Sequence, residues 1–73
     1  MILFDFYKQV AKNIRKFRKA KGLTQEQLAE RSGLSQDYIQ KIENEKNKPG
    51  LIGLVAIINA LEVSFKTFFE SFE

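Results

Sequence analysis

Between positions 6 and 17 the apolar residues fall at Phe6, Val10, Ile14 and Phe17, with Tyr7 and Ala11 beside them. Steps of three and four put one apolar stripe on a helix running from about Phe6 to Lys21. Gly22 follows, suited to the left-handed turn that closes a helix. Thr24 and Gln27 have the spacing of a capping box, and Leu23 and Leu28 that of a hydrophobic staple, so a second helix starts at Gln25. Ser32 and Gly33 end it after about two turns. Ser35 is the next cap, with Leu34 and Ile39 as its staple, and a third helix runs from Gln36 to about Asn44, burying Ile39 and Ile42. The stretch Glu45 to Pro49 is charged and loop-like. Leu51, Leu54, Ile57, Ile58 and Leu61 make a fourth helix too apolar all round for a surface position, so it is expected to be central, with Gly53 permitting a close helix contact. Ser64 caps a last helix, with Val63 and Phe68 as staple and Phe65, Phe68, Phe69 and Phe72 crowded along it. No run alternates with period two long enough to make a strand, and the expected fold is all-α with five helices.

Composition narrows what such a fold does. The chain has 73 residues, 44% of them apolar, and no Cys, His or Trp. That is one domain, residues 1–73, and a domain of this size buries only roughly 60% of the surface its unfolded chain exposes. Without thiol or imidazole there is no disulfide, no Cys/His metal cage, no thiol nucleophile and no imidazole base, and four glycines make no phosphate-cradling loop. An enzyme, a cofactor and a small-molecule ligand are therefore not expected. The segment Met1 to Tyr7 is apolar but lacks a basic start and carries Asp5, unlike a signal peptide. Nothing approaches the ~18 apolar residues of a membrane span, which leaves no membrane role and, with the missing cysteines, suits the cytoplasm.

Charge is unevenly spread. Residues 1–22 hold seven basic side chains (Lys8, Lys12, Arg15, Lys16, Arg18, Lys19, Lys21) against Asp5, a net of +6, whereas residues 23–50 come to −1 and residues 51–73 to −2. A concentrated positive field suits a polyanion such as nucleic acid or anionic lipid, and a merely solvated helix face is the other reading. The two short helices around Gly33 help to choose. Two helices joined by a three- or four-residue turn with Gly are the sequence form of a helix-turn-helix, at about residues 24–44, whose second helix enters the major groove. Leu28, Ala29, Leu34, Ile39 and Ile42 lock the pair together. Gln36, Asp37, Gln40 and Lys41 remain outside, and Gln suits adenine while Lys suits guanine.

The segment 23–49, LTQEQLAERSGLSQDYIQKIENEKNKP, resembles the Cro/phage-repressor (XRE-type) helix-turn-helix family. The landmarks are Gln25, Leu28, Ala29, Gly33, Leu34, Ser35, Ile39, Ile42, Glu43 and Pro49, and the likeness extends over about residues 10 to 70. It implies double-stranded DNA as partner, with Gln36, Asp37 and Lys41 reading bases beside Gln40, and Gln25 on a phosphate. It further implies an ion pair between Arg18 and Glu43, and a phosphate grip by Asn44, Lys46, Asn47 and Lys48. Arg15, or Lys12 and Lys16, would meet the flanking backbone, the rest of helix one acting at long range. Two departures stand out. Glu45 occupies the usual Gly position, which moves the expected left-handed residue to Asn44, and Gly50 replaces the usual Ser cap of helix four. Asp37 is unusual in a readout row, since an acid accepts from cytosine but is repelled by phosphate.

Tyr38 and the short chain make the sequence most similar to the controller proteins of restriction-modification systems, dimeric regulators of their own promoters, with phage repressors and Cro-like proteins close behind. Tyr38 either reaches a phosphate or base edge or covers the rim of the core. One recognition helix reads about four base pairs, so two copies about 34 Å apart on a near-palindrome are required. The homodimer surface is expected from helices at about 51–72: Leu51, Ile52 and Val55 with Phe65, Phe69 and Phe72, while Phe65 or Phe68 turns inward. Ile2, Leu3, Phe4 and Phe6 could pack against the last helix. The expected protein is thus a bacterial or phage regulator, and its rival is an antitoxin-like module that holds a partner protein.

Overall fold

Three polar caps organise the short helices. Thr24 Oγ1 accepts from the Gln27 N–H at 3.0 Å while Gln27 Oε1 accepts from the Thr24 N–H at 2.9 Å, a complete capping box. The Ser35 and Ser64 hydroxyls accept from the N–H groups of Tyr38 and Thr67, each at 3.0 Å. The computed structural model, which describes residues 3–72, accordingly contains α1 (Leu3–Ala20), α2 (Gln25–Ser32), α3 (Gln36–Glu43), α4 (Leu51–Leu61) and α5 (Phe65–Phe69), with no strand among the described residues. The helix α1 begins a turn before Phe6, because an apolar stripe reports only the part of a helix that packs.

Three helix ends close through the same pair of backbone bonds, in which the chain reverses over one left-handed residue. At α1 the Leu23 N–H reaches the Arg18 carbonyl around Gly22 (φ 71°), and at α2 the Leu34 N–H reaches that of Ala29 around Gly33 (φ 74°). After α3 the Lys46 N–H reaches the Lys41 carbonyl at 2.8 Å and the Glu45 N–H that of Ile42 at 3.0 Å. This pattern forces the left-handed conformation onto Glu45 (φ 61°), not Asn44, which sits at φ −92° as the last residue of the turn. The left-handed residue thus lies one place beyond the expected Asn44, since hydrogen-bond geometry outweighs the preference of the side chain.

Helix α2 packs on α3 and α4, and α1 lies across α3 and α4. The shared core is Val10, Ile14, Leu28, Ala29, Ile39, Ile42, Leu54, Ile57, Ile58, Ala60, Leu61 and Phe68. Only the later turns of α4 are central. Leu51 and Ile52, at 78% and 86% exposed, stand clear of the core, so the uniform apolarity of α4 reflects two different surfaces. Gly50 starts this helix with no side-chain cap.

One buried polar group ties down the last helix. The Asn13 amide donates to the Phe68 carbonyl at 2.7 Å, and Gln9 donates to Asn13 Oδ1 at 3.1 Å and to Ser71 Oγ at 3.2 Å. Of the phenylalanines, Phe68 is fully buried and Phe65 is turned outward at 47% exposure. Phe69 and Phe72 are half-buried, their rings 6.3 and 5.4 Å from that of Phe6 and 4.9 Å from each other. Ile2 and the side chains of Leu3 and Phe4 lie outside the described residues.

A non-glycine residue held left-handed costs about 1–2 kcal/mol. Glu45→Gly is therefore expected to stabilise the protein by about 1 kcal/mol, a rise of roughly 4–8 °C in Tm for a domain of this size, measured by thermal unfolding.

Candidate nucleic-acid interface

Eight-residue helices are not stable alone, so the position of α3 depends on what holds it. Ile39 and Ile42 bury its inner face, and Gly33 gives the turn that sets it against α2. At its far end Glu43 is enclosed, with no exposed side-chain surface. Arg18 meets this carboxylate with two parallel bonds, Nε to Oε2 at 2.7 Å and Nη2 to Oε1 at 3.0 Å, and gives its third arm to the Leu23 carbonyl at 2.8 Å. Gln25 Nε2 adds a bond at 3.2 Å and Arg15 Nε a longer one at 3.5 Å. Burial works to raise the Glu43 pKa, but the bonds from Arg18, Gln25 and Arg15 and the Arg18 charge outweigh it and hold the carboxyl below its ordinary value.

With α3 so fixed, Gln36, Asp37, Gln40 and Lys41 form its exposed row. Lys41 Nζ lies 3.0 Å from Asp37 Oδ2, one helical turn away. The α3–α4 loop continues from this row, with Asn44, Glu45, Lys46, Asn47 and Lys48 all exposed and the Lys48 ammonium 5.9 Å above the Tyr7 ring. The arrangement offers hydrogen-bonding groups on a rigid helix beside a basic loop, which suits base edges flanked by phosphates.

Besides Lys48 over Tyr7, four of the residues expected on the DNA backbone have partners within the protein. Gln25 is half-buried and bonded to Glu43, as above. Arg15 donates Nη2 to the Glu43 carbonyl at 3.2 Å and to Asn44 Oδ1 at 3.4 Å, so Arg15 and Asn44 brace the end of α3. Half-buried Tyr38 packs against the core, and a Cβ added to Gly53 would stand 2.8 Å from its hydroxyl. The close contact expected at Gly53 is thus with the Tyr38 side chain rather than with another helix backbone. Spacing along the chain gives no sign that Arg15 and Gln25 share Glu43, although both are polar residues within reach of a buried acid.

Residues 14–68 match the Helix-turn-helix family. The chain belongs to it. An uncharacterised HTH-type transcriptional regulator of Sinorhizobium fredii is 42% identical over 60 residues, 82% of this chain and 78% of the relative. Control protein C.SmaI of Serratia marcescens is 38% identical over 60 residues, 82% of this chain and 71% of its own. Among solved structures, the wild-type restriction-modification controller protein C.Esp1396I is 37% identical with a TM-score of 0.87, over 96% of this chain and 87% of that one. A tetramer of C.Esp1396I in complex with its natural 35 base-pair operator matches with a TM-score of 0.86, at 37% identity over 96% of this chain and 90% of that one. The all-α fold is that of these controller proteins.

Removing one member of a buried ion pair costs about 3–5 kcal/mol. Because the folded state lowers the Glu43 pKa, its contribution is complete above the unfolded carboxylate value and fades as pH falls through the lower folded one. Glu43→Gln should accordingly be much less stable than the wild type in urea denaturation at pH 7, with the gap narrowing steadily below about pH 4.

Proposed function

We propose that this protein is a homodimeric, sequence-specific DNA-binding transcription regulator of the restriction-modification controller type, acting on a near-palindromic operator at its own promoter. The observation that carries this reading is the exposed α3 row on a fold matching that of C.Esp1396I, a protein also solved on its operator. In this reading Gln36, Asp37, Gln40 and Lys41 face the base edges. Lys46, Asn47 and Lys48 grip phosphates, joined by Asn44, by Arg15 and by the amide hydrogen of Gln25 not given to Glu43. The Tyr38 hydroxyl, resting over Gly53, meets the backbone at the groove edge. Exposed Lys8, Lys12, Lys16 and Lys19 draw DNA in at longer range.

One chain is 31 Å in its longest extent, close to one turn of DNA, so two copies side by side suit half-sites about 34 Å apart. The dimer surface is Leu51 and Ile52 with half-buried Val55 and outward Phe65, bordered by Phe69 and Phe72. Monomer–dimer balance makes occupancy depend on the protein's own concentration, which needs no cofactor or catalytic step. No described helix is long and apolar enough to cross a membrane, and the reading places the protein in the cytoplasm of a bacterium or phage-infected cell.

The test is a mobility-shift titration on the DNA upstream of its own gene. Binding no tighter than to random duplex at equal salt overturns the proposal. Lys48→Ala is expected to weaken binding to all sequences and to lower the salt slope by about 0.9 for each phosphate left without its lysine, hence by about twice that in a dimer. Ile52→Asp should leave the helical circular dichroism intact while abolishing the dimer in sedimentation equilibrium and weakening operator binding at least tenfold. A wild-type chain that sediments as a monomer on its operator would overturn the dimer.

A further inference from the structure

The readout row contains an acid already paired with its neighbour, and this arrangement has consequences for specificity. We propose that Asp37 and Lys41 act as a single preformed reading element, an ammonium beside a carboxylate, that selects a G·C base pair in each half-site. This role rests on α3 facing DNA, as proposed above.

Three features favour this pairing. The charged atoms are 3.0 Å apart on successive turns, with the acid on the N-terminal side, the favourable order for such a pair. Asp37 lies in the first turn of α3 and Lys41 in the last, so each charge also agrees with the helix dipole. The helix itself is anchored at both ends, by the Ser35 cap and by Glu43. Both side chains remain more than half exposed, so the element faces outward as a unit.

Charge alone gives this row no pull on DNA. Gln36, Asp37, Gln40 and Lys41 together carry no net charge, and general attraction comes from the loop and α1. What the row can supply is a hydrogen-bond pattern. An ammonium only donates and a carboxylate only accepts. In the major groove a G·C pair shows two acceptors, N7 and O6 of guanine, and then a donor, the N4 amine of cytosine. The Lys41 ammonium can span the two acceptors while the Asp37 carboxylate takes the adjacent amine, and the two side chains stay bonded to each other. An A·T pair shows one acceptor, one donor, and then the thymine O4 acceptor and a methyl group. There the ammonium has one acceptor fewer, and the carboxylate lies against O4, which repels it. Lys41 without Asp37 would bind any acceptor-rich edge or phosphate, so the acid turns a general cation into a selective one.

The experiment selects duplexes from a randomised library with the full-length protein at fixed salt. Affinities for the best duplex and its single-pair variants then follow from fluorescence anisotropy, with circular dichroism confirming that each protein variant is folded. The wild type is expected to require a G·C pair at one position per half-site, with replacement by A·T costing roughly tenfold or more. Asp37→Ala and Lys41→Ala should each flatten the preference at that same position, and the double variant should flatten it no further. Asp37→Ala should in addition bind random duplex more tightly, because a repulsive charge has gone. Relaxation at two different positions, additive effects of the two substitutions, or an A·T preference at the sensitive position would overturn the proposal while leaving sequence-specific binding intact. A wild type that selects no sequence at all would instead overturn the DNA-binding reading together with this inference.

Discussion

Glu43 places a negative charge at the C-terminal end of α3, where the helix dipole disfavours it, and does so out of contact with water. Such a group is tolerated only if donors surround it, and two guanidinium groups and an amide do. Arg18 and Arg15 come from α1 and Gln25 from the start of α2, so one carboxylate joins three helices. Arg15 also donates to the last helical carbonyl, satisfying a backbone group that a short helix leaves open. The orientation of α3, and of every side chain it displays, follows from this cluster.

In the proposed reading, the same cluster separates attraction to DNA from discrimination between sequences. By fixing α1 across α3 it keeps the surplus of basic side chains in α1 apart from the exposed row of α3, whose four residues carry no net charge. The outer lysines of α1 and the α3–α4 loop supply a field that reaches over about a Debye length, ~8 Å at physiological salt, and does not depend on sequence. The groups on α3 act only at hydrogen-bond distance. A rigid support matters more for them than for the lysines, since an error of an ångström in position removes a hydrogen bond but barely alters a long-range field.

Apolar surface is divided in a similar way. The later turns of α4 complete the core, while Leu51 and Ile52 extend its apolar surface outward to an exposed face. Asn13 fastens Phe68 and with it the aromatic cluster of Phe6, Phe69 and Phe72. The missing side chain at Gly53 leaves room for the Tyr38 ring, which couples the first turn of α3 to the helix carrying the exposed apolar residues.

Helix identity, caps and core were legible in the sequence because they depend on local spacing: the three- and four-residue steps of the apolar stripes, the Ser and Thr caps, the glycines at positions 22 and 33. The helix-turn-helix and its outward row followed from the same periodicity, since a residue not needed inside an eight-residue helix must lie outside it. The Arg18–Glu43 pair was implied by the family resemblance and is present, but tertiary structure alone decided which other polar residues share a partner. Arg15, Gln25 and Asn13 look like surface groups in the chain, and only folding brings the first two to Glu43 and the third to the Phe68 carbonyl, 28, 18 and 55 residues distant. It also decided that Glu45 bears the left-handed turn, and that α4 is half core and half surface. Spacing along a helix is a one-dimensional property that sequence records directly, whereas the satisfaction of a buried charge depends on distances between helices that exist only once they have packed.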